Sequence, residues 1–249
     1  MADFSSIKTQ LIIFLSSFAA YLYFIDKQSA FIFTLCLSVT VASGTESFFL
    51  YLRSKKFQVT QSSLISGLII GTVLSADNRW WVIALAAVFA IASKHLLRIN
   101  SKHVFNPAAF GIFLSIILLG AFTEWRGAYL WYILAPFGIY FVYKVQKFEI
   151  LAGFVLAFFI LFGIQAFIRK APIWNILGYL NYFYLFIMLI EPKTTPVKKS
   201  AKIIFGAGAA TLIFILTEMG VKFDAELCSL LILNAFTPLL NKIPQRRRA

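Results

Sequence analysis

The chain has 249 residues, of which 60% are hydrophobic, 17% aromatic and 13% charged, and its mean hydropathy is +0.83. Soluble domains are about half apolar and about a quarter charged, so the composition excludes a soluble protein and describes an integral membrane one. The formal charge of +13 does not indicate a nucleic-acid binder, because the basic residues fall in short loops between apolar runs, where they set topology.

A spanning helix needs about 20 apolar residues. Ten segments meet or approach that length, at about 9–25, 30–52, 61–75, 79–97, 105–122, 128–143, 149–168, 173–190, 200–219 and 225–241. The fold class they predict is an all-α polytopic membrane protein, one integral membrane domain over 1–249 with no room for a soluble domain. The first run follows "MADFSSIKTQ" without a cleavage site, so it is expected to be retained as a helix. With the N-terminus inside, 17 of the 23 Lys and Arg residues fall on the inner side and 6 on the outer. That asymmetry places both termini in the cytoplasm and the chain in the cytoplasmic membrane. An odd number of spans would scramble it.

The second segment carries Glu46 six residues before Leu52, in "VASGTESFFLYLRSKK". A carboxylate at that depth faces the bundle interior, an ion path or a partner; about 9 Å of helix would also let it reach water or Arg53. The third segment, "SSLISGLIIGTVLSAD", is short and contains two glycines, a pattern that lines sites in transporters built from repeated halves. Two five-helix halves would be inverted relative to each other, because five is odd. A faint echo, "NPAAF" in segment five and "NAFTP" (Asn234 to Pro238) in segment ten, is the sequence trace of such a repeat.

Lys94 and His95 end the fourth segment on the inner side. Lys94 either snorkels to the headgroups or pairs with Glu46. His95 and His103 flank one short turn instead of facing each other across helices, so haem is not expected. Cys36 and Cys228 stand alone in separate apolar runs. They form no metal or disulfide framework, and an iron–sulfur cluster needs four thiolates.

The fifth segment opens with "SKHVFNPAAFG", Ser101 to Gly111. Asn106 is a favoured helix cap, and Pro107 suits the first turn, where its missing N–H is no loss. The same helix N-terminus presents N–H groups and a positive dipole end to a phosphate or a carbonyl edge. Ala108, Ala109 and Gly111 keep the helix slim enough for a ring or a neighbouring helix to approach. Segment eight ends at "LIEPKTTPVKKS", where Glu191-Pro192 is either a stop signal or a further polar group on the inner face, shared with Glu46, Lys94 and Asn106.

The stretches "LISGLIIGTVLSADNRWWVIALAAVFAIASKHLLR", "HVFNPAAFG", "LIEPKTTP", "AKIIFGAGAA" and "LILNAFTPLL" resemble, in matching order from about Glu46 to Leu240, one membrane-protein family. It comprises the RnfD component of the Rnf electron-transport complex and the NqrB component of the sodium-translocating NADH:quinone reductase. The resemblance implies a flavin-carrying subunit that passes electrons across the membrane, coupled to Na+ or H+ movement and assembled with other membrane and soluble subunits. It maps the family's Asn-Pro-Ala asparagine to Asn106 and its acidic residue before proline to Glu191, near a riboflavin on the cytoplasmic side. In that reading Lys102 and His103 border the pocket, and Ala108 to Gly111 admit the ring. The family often carries a Ser-Gly-Ala-Thr motif whose threonine is esterified to FMN. The corresponding loop here is "AFTEWRGA", in which Thr123 is the only threonine, so a riboflavin or FMN held without a covalent bond is expected. Two alternatives remain open: a channel or carrier for a small polar solute, and a membrane anchor that docks a soluble flavoprotein or ferredoxin-type reductase.

Overall fold

The computed structural model describes residues 6–99 and 102–243. Ser101 of the fifth-segment opening and the three arginines at 246–248 lie outside the described residues, as do both chain ends. The chain divides into two compact units, residues 1–127 and 128–249.

The first unit contains α1 (Ile7–Asp26), α2 (Ser29–Ser54), α3 (Gln61–Val73), α4 (Trp80–Leu96), a two-residue hairpin β1 (Arg98–Ile99) and β2 (Lys102–His103), and α5 (Pro107–Leu119). The second contains α6 (Trp131–Val145), α7 (Phe148–Ile168), α8 (Asn175–Tyr179), a π-helical segment Tyr184–Met188, α9 (Lys199–Glu218) and α10 (Ala225–Leu240). The protein is an all-α polytopic membrane protein. Among the described residues α1, α2, α7 and α9 are long and apolar enough to cross a membrane, and α3, α4, α5 and α10 are shorter apolar helices.

The buried face of α2 shows how the first unit is organised. Phe31, Thr34, Ser38, Ala42 and Glu46 recur every three or four residues and are the buried positions of this 26-residue helix, which leaves most of its surface for lipid. Against that face lies α3. A Cβ built on Gly67 would stand 2.6 Å from Val39 Cα, and one on Gly71 would stand 2.8 Å from Leu35 Cα. Glycine therefore lets two backbones touch, and Ser38 Oγ donates to Gly67 O at 2.9 Å across the contact. Gly111 of α5 packs in the same way against Ala86 and Ala90 of α4.

The 13 residues of α3 span about 20 Å, short of the ~30 Å hydrocarbon core. Its end is closed by chain rather than by water. Val73 O accepts from Glu124 N at 2.8 Å, Ser75 N donates to Phe122 O at 3.2 Å, and Leu74 bridges Thr123. Asn78 completes the join: its amide nitrogen donates to Phe122 O at 2.9 Å, and its amide oxygen accepts from Phe122 N at 3.1 Å.

In the second unit the eighth segment is not one helix. Leu180 is extended, at φ −79° and ψ 114°, and Asn181 Oδ1 accepts from Tyr184 N at 2.8 Å, starting a new turn. The pairing of elements follows the first unit. There α3 packs on α1, and α4 packs on α2 and α5; here the π-helical segment packs on α6, and α9 packs on α7 and α10. The α7–α9 contact is again made through glycine, Gly153 against Ile203 O and Gly206 against Ile150 O.

Overpacking a site of this kind costs about 1–3 kcal/mol. Gly206→Ala is therefore expected to lower the midpoint of thermal unfolding in detergent, whereas Gly178→Ala, which points into open space, leaves it unchanged. Equal midpoints for the two variants would show that α7 and α9 do not depend on this contact.

Candidate functional site

At one end of the first unit, three helices meet on Glu46. Lys94 Nζ lies 2.6 Å from its Oε1, and His95 Nε2 lies 3.0 Å from its Oε2. Thr60 Oγ1, from the cap of α3, donates to Oε1 at 3.2 Å. Glu46 and Lys94 are both buried, with 3% and 8% of their side chains exposed. A carboxylate in a low-dielectric site requires such partners. The imidazole of His95 stacks on Phe49 of α2 with ring centroids 4.7 Å apart. The node is extended by Ser63 N, which donates to Thr60 Oγ1, and by Gln61 Nε2, which donates to Thr9 Oγ1 of α1 at 2.8 Å. Sequence reading picked out Glu46 and Lys94 but missed Thr60 and the role of His95. The only available signal was that His95 follows Lys94 directly at a helix end.

The stretch after α4 is a hairpin leading into a capped helix. Arg98 pairs with His103 and Ile99 with Lys102, and Val104 N returns to Leu97 O at 3.1 Å. Lys102 is exposed and His103 buried. Asn106 is buried, and its Oδ1 accepts from Ala109 N at 3.0 Å with Pro107 in the first turn. Ala108, Ala109 and Gly111 are buried. Of their two expected uses, Gly111 serves the approach of a neighbouring helix, α4.

Beyond the far end of α5 lies Arg126, one of the six basic residues that the charge count expects on the outer side. It is a buried node, with 4% of its side chain exposed. Its guanidinium bonds Glu124 Oε2 at 2.8 Å and Gln28 Oε1 at 2.5 Å. It also sits over the Phe31 ring at 4.8 Å. This holds the loop carrying Thr123 against the α1–α2 connection.

Glu191 belongs to the second unit. Thr195 Oγ1 donates to its carbonyl at 2.7 Å, and Thr194 Oγ1 donates to its Oε2 at 3.3 Å. The turn that follows docks on α10, where Thr194 O accepts from Asn234 Nδ2 at 3.2 Å and from Thr237 Oγ1 at 2.9 Å. Two residues of the "NAFTP" stretch therefore hold the "EPKTTP" turn. Of the residues picked out in sequence, Glu46 and Lys94 share one contact, and Lys102, His103 and Asn106 share one hairpin–helix junction. Cys36 is exposed, and Cys228 is half-buried.

The model of the NQR2, RnfD, RnfE family matches residues 2–129 and 117–249, almost the whole chain. The chain belongs to this family. It is also 34% identical over 100 residues to the D component of the ion-translocating oxidoreductase complex of Marinobacter nauticus, an alignment that covers 37% of this chain and 29% of that protein.

Removing one partner of a buried ion pair costs about 3–5 kcal/mol, whereas replacing both by apolar or neutral groups is often tolerated. Glu46→Gln and Lys94→Met are each expected to destabilise the protein strongly, and the double variant to recover part of the loss. Unfolding midpoints of the four proteins measure this. Strictly additive losses would mean that the two charges do not interact.

Proposed function

We propose that this chain is the membrane subunit of an ion-translocating electron-transport complex, that it carries a flavin without a covalent bond, and that it works with other membrane and soluble subunits. The observation that carries the reading is the family match across both halves of the chain. The name of the Marinobacter nauticus relative supports the complex and its ion coupling. The excess of basic residues on the inner side supports a cytoplasmic-membrane location with both termini inside.

The residues at the hairpin and the start of α5 suit one edge of a flavin. An amide at Asn106, an imidazole at His103 and an exposed ammonium at Lys102 can bond ring carbonyls and ribityl hydroxyls, and the positive end of α5 favours an electron-rich edge. Because α4 occupies the small face of α5 at Gly111, the ring belongs at the lip of that helix and not alongside it. Bound there, a flavin supplies one- and two-electron chemistry; the chain binds it, orients it and keeps water from it. In this reading Glu191 is the matching acidic residue of the second unit, and the Glu46–Lys94 pair holds α2 and α4 in register beside the lip.

A hydrogen bond of this type contributes about 0.5–1.5 kcal/mol, more where its partner is left unpaired. Asn106→Leu should weaken flavin retention several-fold in the purified complex while leaving a folded protein, since loss of the cap alone costs about 1 kcal/mol. All flavin should leave on denaturation, with no fluorescent band on a denaturing gel. A fluorescent band would restore covalent attachment, with Thr123 the first residue to test. A colourless protein, gently purified with its partners, would overturn electron transfer in favour of a solute carrier.

A further inference from the structure

The second unit places positive charge where helix chemistry disfavours it. Lys147 and Lys198 occupy the N-cap positions of α7 and α9, and neither caps its helix with a side-chain hydrogen bond. Ser, Thr, Asp and Asn are the residues that normally serve there. Lys199 opens α9, and Lys202 follows one turn in. The two helix starts are side by side, because Lys202 Nζ reaches both Glu149 Oε2 at 3.1 Å and Gln146 O at 2.6 Å. Two positive helix ends and the ammonium groups of Lys147, Lys199 and Lys202 therefore gather around one carboxylate, Glu149, and each helix end alone favours an anion.

Topology accounts for lysines in a cytoplasmic loop but not for burying them. Lys147 is 5% exposed and Lys202 8%. Lys147 Nζ donates to a backbone carbonyl, Pro196 O, at 2.7 Å, while the nearby carboxylate of Glu149 is engaged by Lys202. Lys198 Nζ likewise donates to a carbonyl, Ile243 O, at 2.9 Å. Burial, then repulsion from Lys202, pushes the Lys147 ammonium down to about 8. Below that pH it is charged in both the folded and unfolded chain, and holding it buried opposes folding. The opposition is relieved as the pH rises from about 8 towards its ordinary 10.5. Excess buried positive charge at two helix starts without side-chain caps calls for a missing component, an oxyanion.

We infer that the paired N-termini of α7 and α9, with Lys147, Lys199 and Lys202, form a binding site for a phosphate group on the cytoplasmic face of the second unit. A phosphate accepts several charge-assisted hydrogen bonds at once, and it can arrive on an anionic phospholipid headgroup or as a free ion. The site does not depend on the flavin reading.

The test follows the Lys147 amine in the full-length protein in detergent. Its rate of reductive methylation at pH 8 is measured by mass spectrometry with added phosphatidylglycerol, phosphatidylcholine or inorganic phosphate. A bound phosphate keeps the amine protonated and slows methylation several-fold. Slowing by phosphatidylglycerol alone identifies a lipid headgroup, and slowing by inorganic phosphate as well identifies a site open to the free ion. In either case Lys202→Gln should abolish most of the protection. No protection from either anionic probe, equal protection by phosphatidylcholine, or protection that survives Lys202→Gln would overturn the proposal. Unfolding midpoints provide a second readout: the anionic probe should raise that of the native chain and not that of Lys147→Gln, and equal increases would count against the site.

Discussion

In a lipid bilayer no backbone N–H or C=O can be left bare, because the hydrocarbon offers no replacement for water. The third element of each unit is too short or too broken to meet this requirement alone, and the rest of the unit is arranged to meet it. In the first unit the carbonyls and amides at the end of α3 are taken by residues 122–126, the chain that follows α5. In the second, the turn after the π-helical segment is taken by Asn234 and Thr237 near the end of α10, and Asn241 accepts from Val197 N at 2.9 Å. Both units solve the same problem by docking the end of the third element on the end of the fifth.

A second correspondence follows from the need to pair buried charge. In each unit a glutamate on the second helix meets a lysine on the fourth, Glu46 with Lys94 at 2.6 Å and Glu149 with Lys202 at 3.1 Å. Close backbone contact sets the second and fourth helices of the second unit together at Gly153 and Gly206. The same role falls to the fourth and fifth helices of the first unit at Gly111. Small residues provide proximity and the ion pairs fix register, which is how membrane helices associate where apolar burial offers little advantage over lipid.

The sequence makes the parts set by one-dimensional pattern readable. Apolar runs of sufficient length locate most helices, Asn106-Pro107 announces the start of α5, and the depth of Glu46 marks it as a residue needing a partner. What cannot be read depends on contacts between distant segments. His95 looks like a helix-end residue until α2 brings Phe49 and Glu46 to it. Arg126 looks like a loop charge until Gln28, Glu124 and Phe31 enclose it. The break at Leu180–Asn181 lies inside a continuous apolar run, where hydropathy is blind and only the capping capacity of Asn181 gives a local sign. Lys147 and Lys202 read as topology signals, because burial of a lysine leaves no trace in its neighbours along the chain.

If the membrane supplies the organising constraint, each docking turn must lie at a membrane surface, and the charge distribution predicts which one. That distribution predicts the connection after α5 at the outer surface and the turn after the π-helical segment at the cytoplasmic one. Phe122 and Val197 are both exposed, at 52% and 70%, and each can carry a single cysteine in a background lacking Cys36 and Cys228. The most direct measurement is labelling of these two variants in intact cells with a membrane-impermeant maleimide. Phe122→Cys is expected to label from outside, and Val197→Cys only after the membrane is opened. Labelling of both positions from the same side would contradict the topology expected from the charge distribution.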